Sequence, residues 1–293
     1  VSSSSLQPIL ALLGYPLSRN PTQYMLQEAF SHHGLDLRYL SVEVAPDDLG
    51  AAVRGMQAMG FCGGNCADPH KQAVIEHLDR TTDAAGRIGA VNLLFSEEGQ
   101  VVGENTEGKA LLESLRRRID PAGKRIVLLG TGRMARAAGV ELAAVGLAEL
   151  VVLGRTEAKA RELAELLGSD ESELPSSEAP NAELLVSAVA WEGDYHIGPE
   201  VDVLINATSA ADLDPDARLP LDLSELGPQA IVVDATINQP NTWLLREAAE
   251  RGCSTVNGVE LFIEEAAINF RLWTGVDPDR AVMREAVEEF LEL

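Results

Sequence analysis

The segment Gly130-Thr131-Gly132-Arg133-Met134-Ala135 has the residue types of a phosphate-binding turn. It follows the apolar run at 125–129 and opens an alanine-rich stretch with helical spacing at 136–145. In this GxGxxA pattern the first glycine permits the tight turn, Gly132 lets backbone approach a pyrophosphate, and the small Ala135 permits close helix–strand packing. Unpaired N–H groups and the helix dipole favour an anion at the helix start. The next strand, 149–153, runs into Gly154-Arg155-Thr156. A site that selects a free ribose 2′-hydroxyl places Asp or Glu there. Arg155 instead offers a charge-assisted fork for a 2′-phosphate, and Thr156 adds a hydroxyl, so the pattern predicts NADP over NAD. Arg133 is a second candidate for phosphate or adenine contact. Asn206-Ala207-Thr208-Ser209-Ala210 closes a third strand with small residues that let a nicotinamide lie close to the backbone.

Cys62, Cys66 and His70 have a spacing that could hold a metal, with Asp68 as a fourth ligand. Gly63, Gly64 and Pro69 break any common helix face, and no metal is expected. Cys253 reads as a small buried hydrophobe. His32, His33, His77 and His196 read as surface or packing histidines without convincing partners, and Phe270 and Trp273 as core contacts. Trp191 and Tyr195 lie near a variable loop.

Strands and helices alternate along the chain, which predicts an α/β architecture. In the first part, strands are expected at 8–15, 36–44, 89–95 and 101–103, and helices at 21–30, 47–59 and 70–78. A glycine-rich bend is expected at 60–64. A second α/β pattern begins near Thr106, with helices at 108–119, 136–145, 157–167 and 242–251. Its short buried strands fall at 125–129, 149–153, 184–190, 203–206, 231–234 and 255–256. Residues 168–181 read as a polar loop, and 263–273 and 280–291 as closing helices.

The 293 residues are 46% hydrophobic and 24% charged, enough for a sizeable core in one or two domains. With 23 basic against 46 acidic residues the net charge is −23, which argues against nucleic acid and anionic membranes as partners. Lysines stand only at 71, 109, 124 and 159. This balance fits adaptation to high salt or ordinary acidic drift equally. Three cysteines cannot build a disulfide framework and suggest a reducing compartment. No apolar run reaches the roughly 18 residues of a spanning helix, so a soluble cytoplasmic protein is expected.

Several motifs in fixed order resemble shikimate dehydrogenase and its relatives, from Gly14 to Gly275. They are GYPLSRNP at 14–21, GNCADPHK at 64–71, GAVN at 89–92 and GENTEG at 103–108. GTGRMAR, GRTEAKA, NATS and NGVELFIEEAAINFRLWTG at 257–275 follow. The resemblance implies a substrate-binding and catalytic α/β domain at 1–105 and a Rossmann-type NADP-binding domain at 106–258. The helices at 259–293 would return to the first domain, and the active site would lie in the cleft between domains. It also adds Met134, Lys159 and Gly258 to the cofactor set.

The resemblance further implies Lys71 as the catalytic lysine, with Glu107 in the place of the family's aspartate. Asn92, Asn65, Ser18, Asn20 and Glu265 would bind substrate. Ser18 and Asn20 stand where the family holds a carboxylate with two serines, and Glu265 stands where a glutamine is usual. Ala67 lacks the usual threonine hydroxyl, and Ile237 replaces a tyrosine. The extra methylene of Glu107 can move its carboxylate by about 1.5 Å. The implied reaction interconverts 3-dehydroshikimate and shikimate, or a related cyclic hydroxy acid, by hydride transfer with NADP. Quinate, aminoshikimate or another polyol is an alternative substrate, and a catalytically impaired nucleotide-binding sensor an alternative role. A monomer or homodimer is expected.

Overall fold

The computed structural model describes residues 7–17, 20–168, 184–210, 214 and 216–292. Ser18 and residues 169–181 of the expected loop lie outside them. The chain forms two compact units, 1–106 with 263–293, and 107–262.

The first unit is built on a mixed six-stranded sheet. Its strands are β1 (Ile9–Gly14), β2 (Arg38–Glu43), β3 (Gly63–Cys66), β4 (Arg80–Thr81), β5 (Leu93–Glu97) and β6 (Gln100–Glu104), in the order β2-β1-β3-β5-β6-β4. β1, ILALLG, is apolar throughout because it is a central strand covered on both faces. β2 lies at the edge, and within it only Tyr39 is buried. Helices α1 (Thr22–His32), α2 (Leu49–Ala58), α3 (His70–Ala73) and α4 (Asp83–Ile88) complete the N-terminal part.

Two readings of this region are corrected. The glycine-rich stretch expected to bend at 60–64 turns at Gly60, with φ +73°, but from Gly63 it is strand β3, paired parallel to β1 and antiparallel to β5. Glycine is needed there because a Cβ at Gly64 would run into the Ala11 carbonyl. The strand expected from residue 89 starts only at Leu93. The short helix α4, which Thr82 caps by accepting from Ala85 N at 3.3 Å, ends at Ile88, and residues 90–92 are neither helix nor strand. Gly89 closes α4 at φ +70°.

The second unit is a parallel six-stranded sheet with strand order β14-β13-β11-β7-β8-β9. The strands are β7 (Arg125–Leu129), β8 (Glu149–Gly154), β9 (Leu185–Ala190), β11 (Val203–Asn206), β13 (Ile231–Asp234) and β14 (Ser254–Val256). A separate two-stranded ribbon, β10 (Tyr195–His196) with β12 (Leu221–Asp222), was not legible from the pattern. The helices are α5 (Glu107–Arg116), α6 (Arg133–Ala143), α7 (Glu157–Gly168) and α8 (Trp243–Glu250). Strand order reverses between β7 and β11, the doubly wound arrangement whose crevice takes ligands. β9 is not the buried strand expected: it is an edge strand, exposed or half-buried along its length. Trp191 and Tyr195 pack against this unit's core.

The chain returns to the first unit along α9 (Gly258–Thr274) and ends in α10 (Arg280–Leu291). Helix α9 begins five residues earlier than its apolar spacing suggests. In the first unit, Phe270 of α9 stacks on Phe30 of α1 with centroids 5.1 Å apart. Asp279 caps α10 by accepting from Ala281 N at 2.8 Å. Among the described residues, no helix is long and apolar enough to cross a membrane.

Candidate active site

In the first unit a chain of polar side chains runs through an otherwise apolar neighbourhood. Asn65 is on β3, and Asn92 directly precedes β5. Asn65 Nδ2 donates to the Asn92 carbonyl at 2.9 Å, and Asn65 Oδ1 accepts from Tyr39 Oη at 2.7 Å. Asn92 Nδ2 donates to Thr106 Oγ1 at 3.0 Å and to Glu265 Oε1 at 2.7 Å. Asn92 Oδ1 accepts from Thr106 N at 2.8 Å, and the Thr106 hydroxyl donates to Asn269 Oδ1 at 2.7 Å. Three of the expected substrate residues, Asn65, Asn92 and Glu265, are thus brought together although 200 positions separate the first from the last.

Lys71 enters the same neighbourhood. It sits in the first turn of α3, and its carbonyl accepts from Val91 N at 2.7 Å, next to Asn92. Burial pushes the Cys66 thiol up to about 12, and the positive charge of Lys71 partly opposes the shift. Burial also pushes the Tyr39 phenol well above its ordinary value, with a further push from the negative charge of Glu265. The charge of Lys71 thus acts at Cys66, next to Asn65 on β3, and that of Glu265 at Tyr39. Asn20 has a different position: its Oδ1 accepts from Thr22 N at 2.9 Å and secures the start of α1. Glu107 is the first residue of α5 and belongs to the second unit.

The histidines have more partners than their spacing suggests. Buried His70 places Nε2 2.8 Å from the Val44 carbonyl, so that nitrogen is engaged with backbone. His33 Nε2 accepts from Asp279 N at 3.0 Å. His196 has Asp222 at 3.0 Å from Nδ1 and Glu225 at 3.3 Å from Nε2, which corrects the expectation of no partner. Among the described residues, no group of three or more His, Cys, Asp or Glu side chains is placed to hold a metal ion.

The second unit aligns three strand ends. Gly130 N donates to the Leu153 carbonyl at 2.8 Å, and Ala207 N to the Leu129 carbonyl at 2.9 Å. Gly130 adopts φ +110°, and a Cβ there would come within 2.9 Å of the Ala207 carbonyl. Gly132 differs: it is extended, and nothing lies within 4 Å of where its Cβ would be. Among the described residues no group fills that space, which leaves room for a phosphate. α6 starts here without a side-chain cap, so its first N–H groups face outward. Ala135 is fully buried against the sheet. Arg133, Arg155, Thr156 and Lys159 are exposed, and Met134 is half-buried.

At the end of β11, Asn206 Oδ1 accepts from Thr208 N at 3.1 Å and from Thr208 Oγ1 at 2.7 Å. Ala207 and exposed Ser209 complete this loop. Behind it is a residue that sequence reasoning missed, Asp234, which is almost fully buried. It accepts from Asn206 Nδ2 at 3.0 Å, Thr242 Oγ1 at 2.9 Å and Thr236 N at 3.1 Å. One carboxylate thereby ties together the ends of β11 and β13 and the start of α8. Gly258 packs so closely on the Thr236 carbonyl that a Cβ would collide with it. The buried Thr236 hydroxyl has no partner among the described residues. An open cradle at Gly132, uncapped helix N–H groups, exposed arginines and an orphaned hydroxyl all fit a dinucleotide.

A mixed-sheet unit followed by a doubly wound parallel unit defines a two-domain α/β protein of the nucleotide-dependent type. Three family models match the chain. They are the shikimate dehydrogenase substrate binding domain over residues 12–94, shikimate / quinate 5-dehydrogenase over 113–193, and the shikimate 5′-dehydrogenase C-terminal domain over 258–288. A shikimate dehydrogenase (NADP(+)) of Moorella thermoacetica is 37% identical over 285 residues, covering 96% of this chain and 92% of its own. The ligand-free 5-ketofructose reductase of a Gluconobacter species superposes with a TM-score of 0.90 at 36% identity, covering 98% of this chain and 99% of its own. The Thermus thermophilus shikimate 5-dehydrogenase in complex with NADP(H) and shikimate gives 0.80 at 30% identity, covering 97% and 99%. The chain belongs to the shikimate dehydrogenase family.

Proposed function

We propose that this protein is an NADP-dependent oxidoreductase. It would interconvert a secondary alcohol of a small polyhydroxylated substrate, such as shikimate, with the corresponding ketone, such as 3-dehydroshikimate. The observation that carries this reading is the hydrogen-bonded cluster of Asn65, Asn92 and Glu265, with Lys71 anchored beside Asn92 through its carbonyl bond to Val91 N. Bound nicotinamide supplies a hydride at C4 to the carbonyl carbon, and takes one back in the reverse direction. Lys71 donates the proton to the carbonyl oxygen during reduction and withdraws it during oxidation. Asn65 and Asn92 orient substrate hydroxyls, and their own partners hold both amides in place. Ser18 and Asn20 are proposed at the substrate's far end.

On the cofactor side, Gly130, Gly132, Met134 and Ala135 form the pyrophosphate turn. Arg155, Thr156, Arg133 and Lys159 would hold the adenosine 2′-phosphate. Asn206, Ala207, Thr208, Ser209 and Gly258 would flank the nicotinamide half. Glu107 is proposed as the carboxylate that orients Lys71. The test is steady-state oxidation of shikimate, quinate and simple polyols with NADP⁺ and NAD⁺ in parallel. Turnover with a preference for NADP⁺ supports the reading. Binding of NADPH without turnover of any substrate would replace it with a sensor role. Similar proteins carry names for shikimate, quinate and 5-ketofructose chemistry. The shared framework therefore leaves substrate class to individual side chains.

A further inference from the structure

The last residues of β11 and β13 stand opposite each other, Asn206 against Asp234 in the parallel register, with Leu129 of β7 on the other side of Asn206. They lie at the carboxyl ends of the strands, beside the point between β7 and β11 where strand order reverses and where doubly wound sheets take their ligands. Both side chains are buried, Asn206 at 0% and Asp234 at 1% exposure. An amide and a carboxylate in such a place need hydrogen-bond partners, and here each partner fixes the next.

The order of the bonds follows from two backbone N–H groups, which can only donate. Thr208 N points at one end of the Asn206 amide at 3.1 Å, so that end is the oxygen. The opposite end is therefore the NH2 group, and it donates to Asp234 Oδ2 at 3.0 Å. Thr236 N donates to Asp234 Oδ1 at 3.1 Å, and the Thr242 hydroxyl to Oδ2 at 2.9 Å. A carboxylate accepts on both oxygens and donates on neither, so Asp234 admits one orientation of Asn206.

Asn206 Oδ1 in turn holds the Thr208 hydroxyl at 2.7 Å, and with it the loop that leaves the sheet. Within that loop Ala207 N donates to the Leu129 carbonyl at 2.9 Å. The Ala207 carbonyl is the wall that a Cβ at Gly130 would meet. The relay thus runs from Asp234 to the two loops that border the crevice, 206–208 and the turn at Gly130. Capping of α8 does not require it, since Thr242 Oγ1 itself accepts from Leu245 N. What the carboxylate adds is a fixed amide.

We propose that Asp234 is a positioning residue for the nicotinamide half of the dinucleotide, acting through the Asn206 amide on the 206–208 loop. This rests on the cofactor assignment of the oxidoreductase reading above. The test exchanges amide and carboxylate. In Asp234→Asn the Thr236 N–H still claims the oxygen, so the new NH2 group faces that of Asn206, and one of two buried amides must turn or move. Adding Asn206→Asp restores the pairing between the two side chains with the formal charge unchanged. NADPH and adenosine 2′,5′-bisphosphate, which lacks the nicotinamide half, are titrated calorimetrically into the unaltered chain and both variants. Asp234→Asn should weaken NADPH by about ten-fold and the bisphosphate by no more than about two-fold, and the double variant should recover most of the NADPH affinity. A general loss of packing would weaken both ligands alike. Equal losses, or an unchanged NADPH affinity in Asp234→Asn, overturn the proposal and leave the oxidoreductase reading intact. Should Asp234→Asn fail to fold, the double variant decides: melting like the unaltered protein while still binding NADPH about ten-fold more weakly overturns the proposal too. If the unaltered chain binds neither ligand, the cofactor assignment falls and the proposal with it.

Discussion

The two proposed sites are built differently. The one in the second unit offers backbone: a glycine at φ +110°, an extended glycine beside open space, and helix N–H groups. The one in the first unit offers side chains from β2, β3, the residue before β5, the segment after β6, and α9. A backbone site is encoded by a few consecutive residues and tolerates change around it. A side-chain site can change its ligand with one substitution while the fold persists. The turn at residue 130 follows the nucleotide-binding pattern, while of the changes from the family pattern singled out in the sequence those at residues 20, 67 and 265 fall in the first unit and those at 107 and 237 in the second.

The sharpest way to separate the two units is Lys71→Ala. If the proton passes through the substrate cluster, kcat should fall by roughly 10²–10⁴. The Kd for NADPH should stay within about two-fold, because the cofactor cradle is built elsewhere. Stopped-flow reduction and fluorescence titration measure the two. Undiminished turnover would remove Lys71 from the chemistry.

Within the nucleotide unit, two glycines distinguish a fold requirement from a ligand requirement. Gly130→Ala places a Cβ 2.9 Å from the Ala207 carbonyl at a positive φ, so stability should drop by about 1–2 kcal/mol or more. Gly132→Ala meets nothing within 4 Å. Its melting temperature should hold, while NADPH affinity falls by roughly ten-fold because the Cβ occupies the pyrophosphate's approach. Equal affinity in Gly132→Ala would show that the dinucleotide does not pass over this turn.

A smaller effect tests cofactor choice. Arg155→Ala should weaken NADPH by about ten-fold and NADH by much less, as expected for one exposed, charge-assisted contact. Equal losses for both would place the 2′-phosphate elsewhere.

The same division explains what could be read from the chain. The GxGxxA turn was legible because its chemistry is local, and β7, β8, β11 and β13 were legible as short apolar runs. Asp234 was not, since IVVD reads as the end of a strand until Asn206, Thr236 and Thr242 converge on it. Tyr39 looked like one residue of an alternating strand, yet it orients Asn65 from across the sheet. Strand β3 was missed because glycine lowers strand propensity, and here close pairing with β1 decides instead. Lys71, Asn92 and Glu265 could be nominated through the family resemblance, but the meeting of Asn92 with Glu265 depends on α9 returning from the far end of the chain.

The smallest expected effect concerns the β10–β12 ribbon. Asp222 is held low, at about 2, by its hydrogen bonds with Ser224 and then with His196. His196 is raised from 6.5, chiefly by its hydrogen bond with Asp222, helped by Glu225. The signs are opposite. The Asp222 contribution is present above its unfolded value of 3.8 and is lost as pH falls towards about 2. The His196 contribution is complete below 6.5 and is lost as pH rises through its higher folded value. Both are in force between about pH 4 and 6.5. These groups are exposed, so solvent screening keeps the effect to about one or two degrees of melting temperature. Melting curves of the unaltered protein should therefore decline slightly from pH 6 to 8.5, and His196→Gln should flatten that decline. The variant should leave KM for the alcohol substrate unchanged, because the ribbon belongs to the second unit. A shift in that KM would mean that the two proposed sites are coupled.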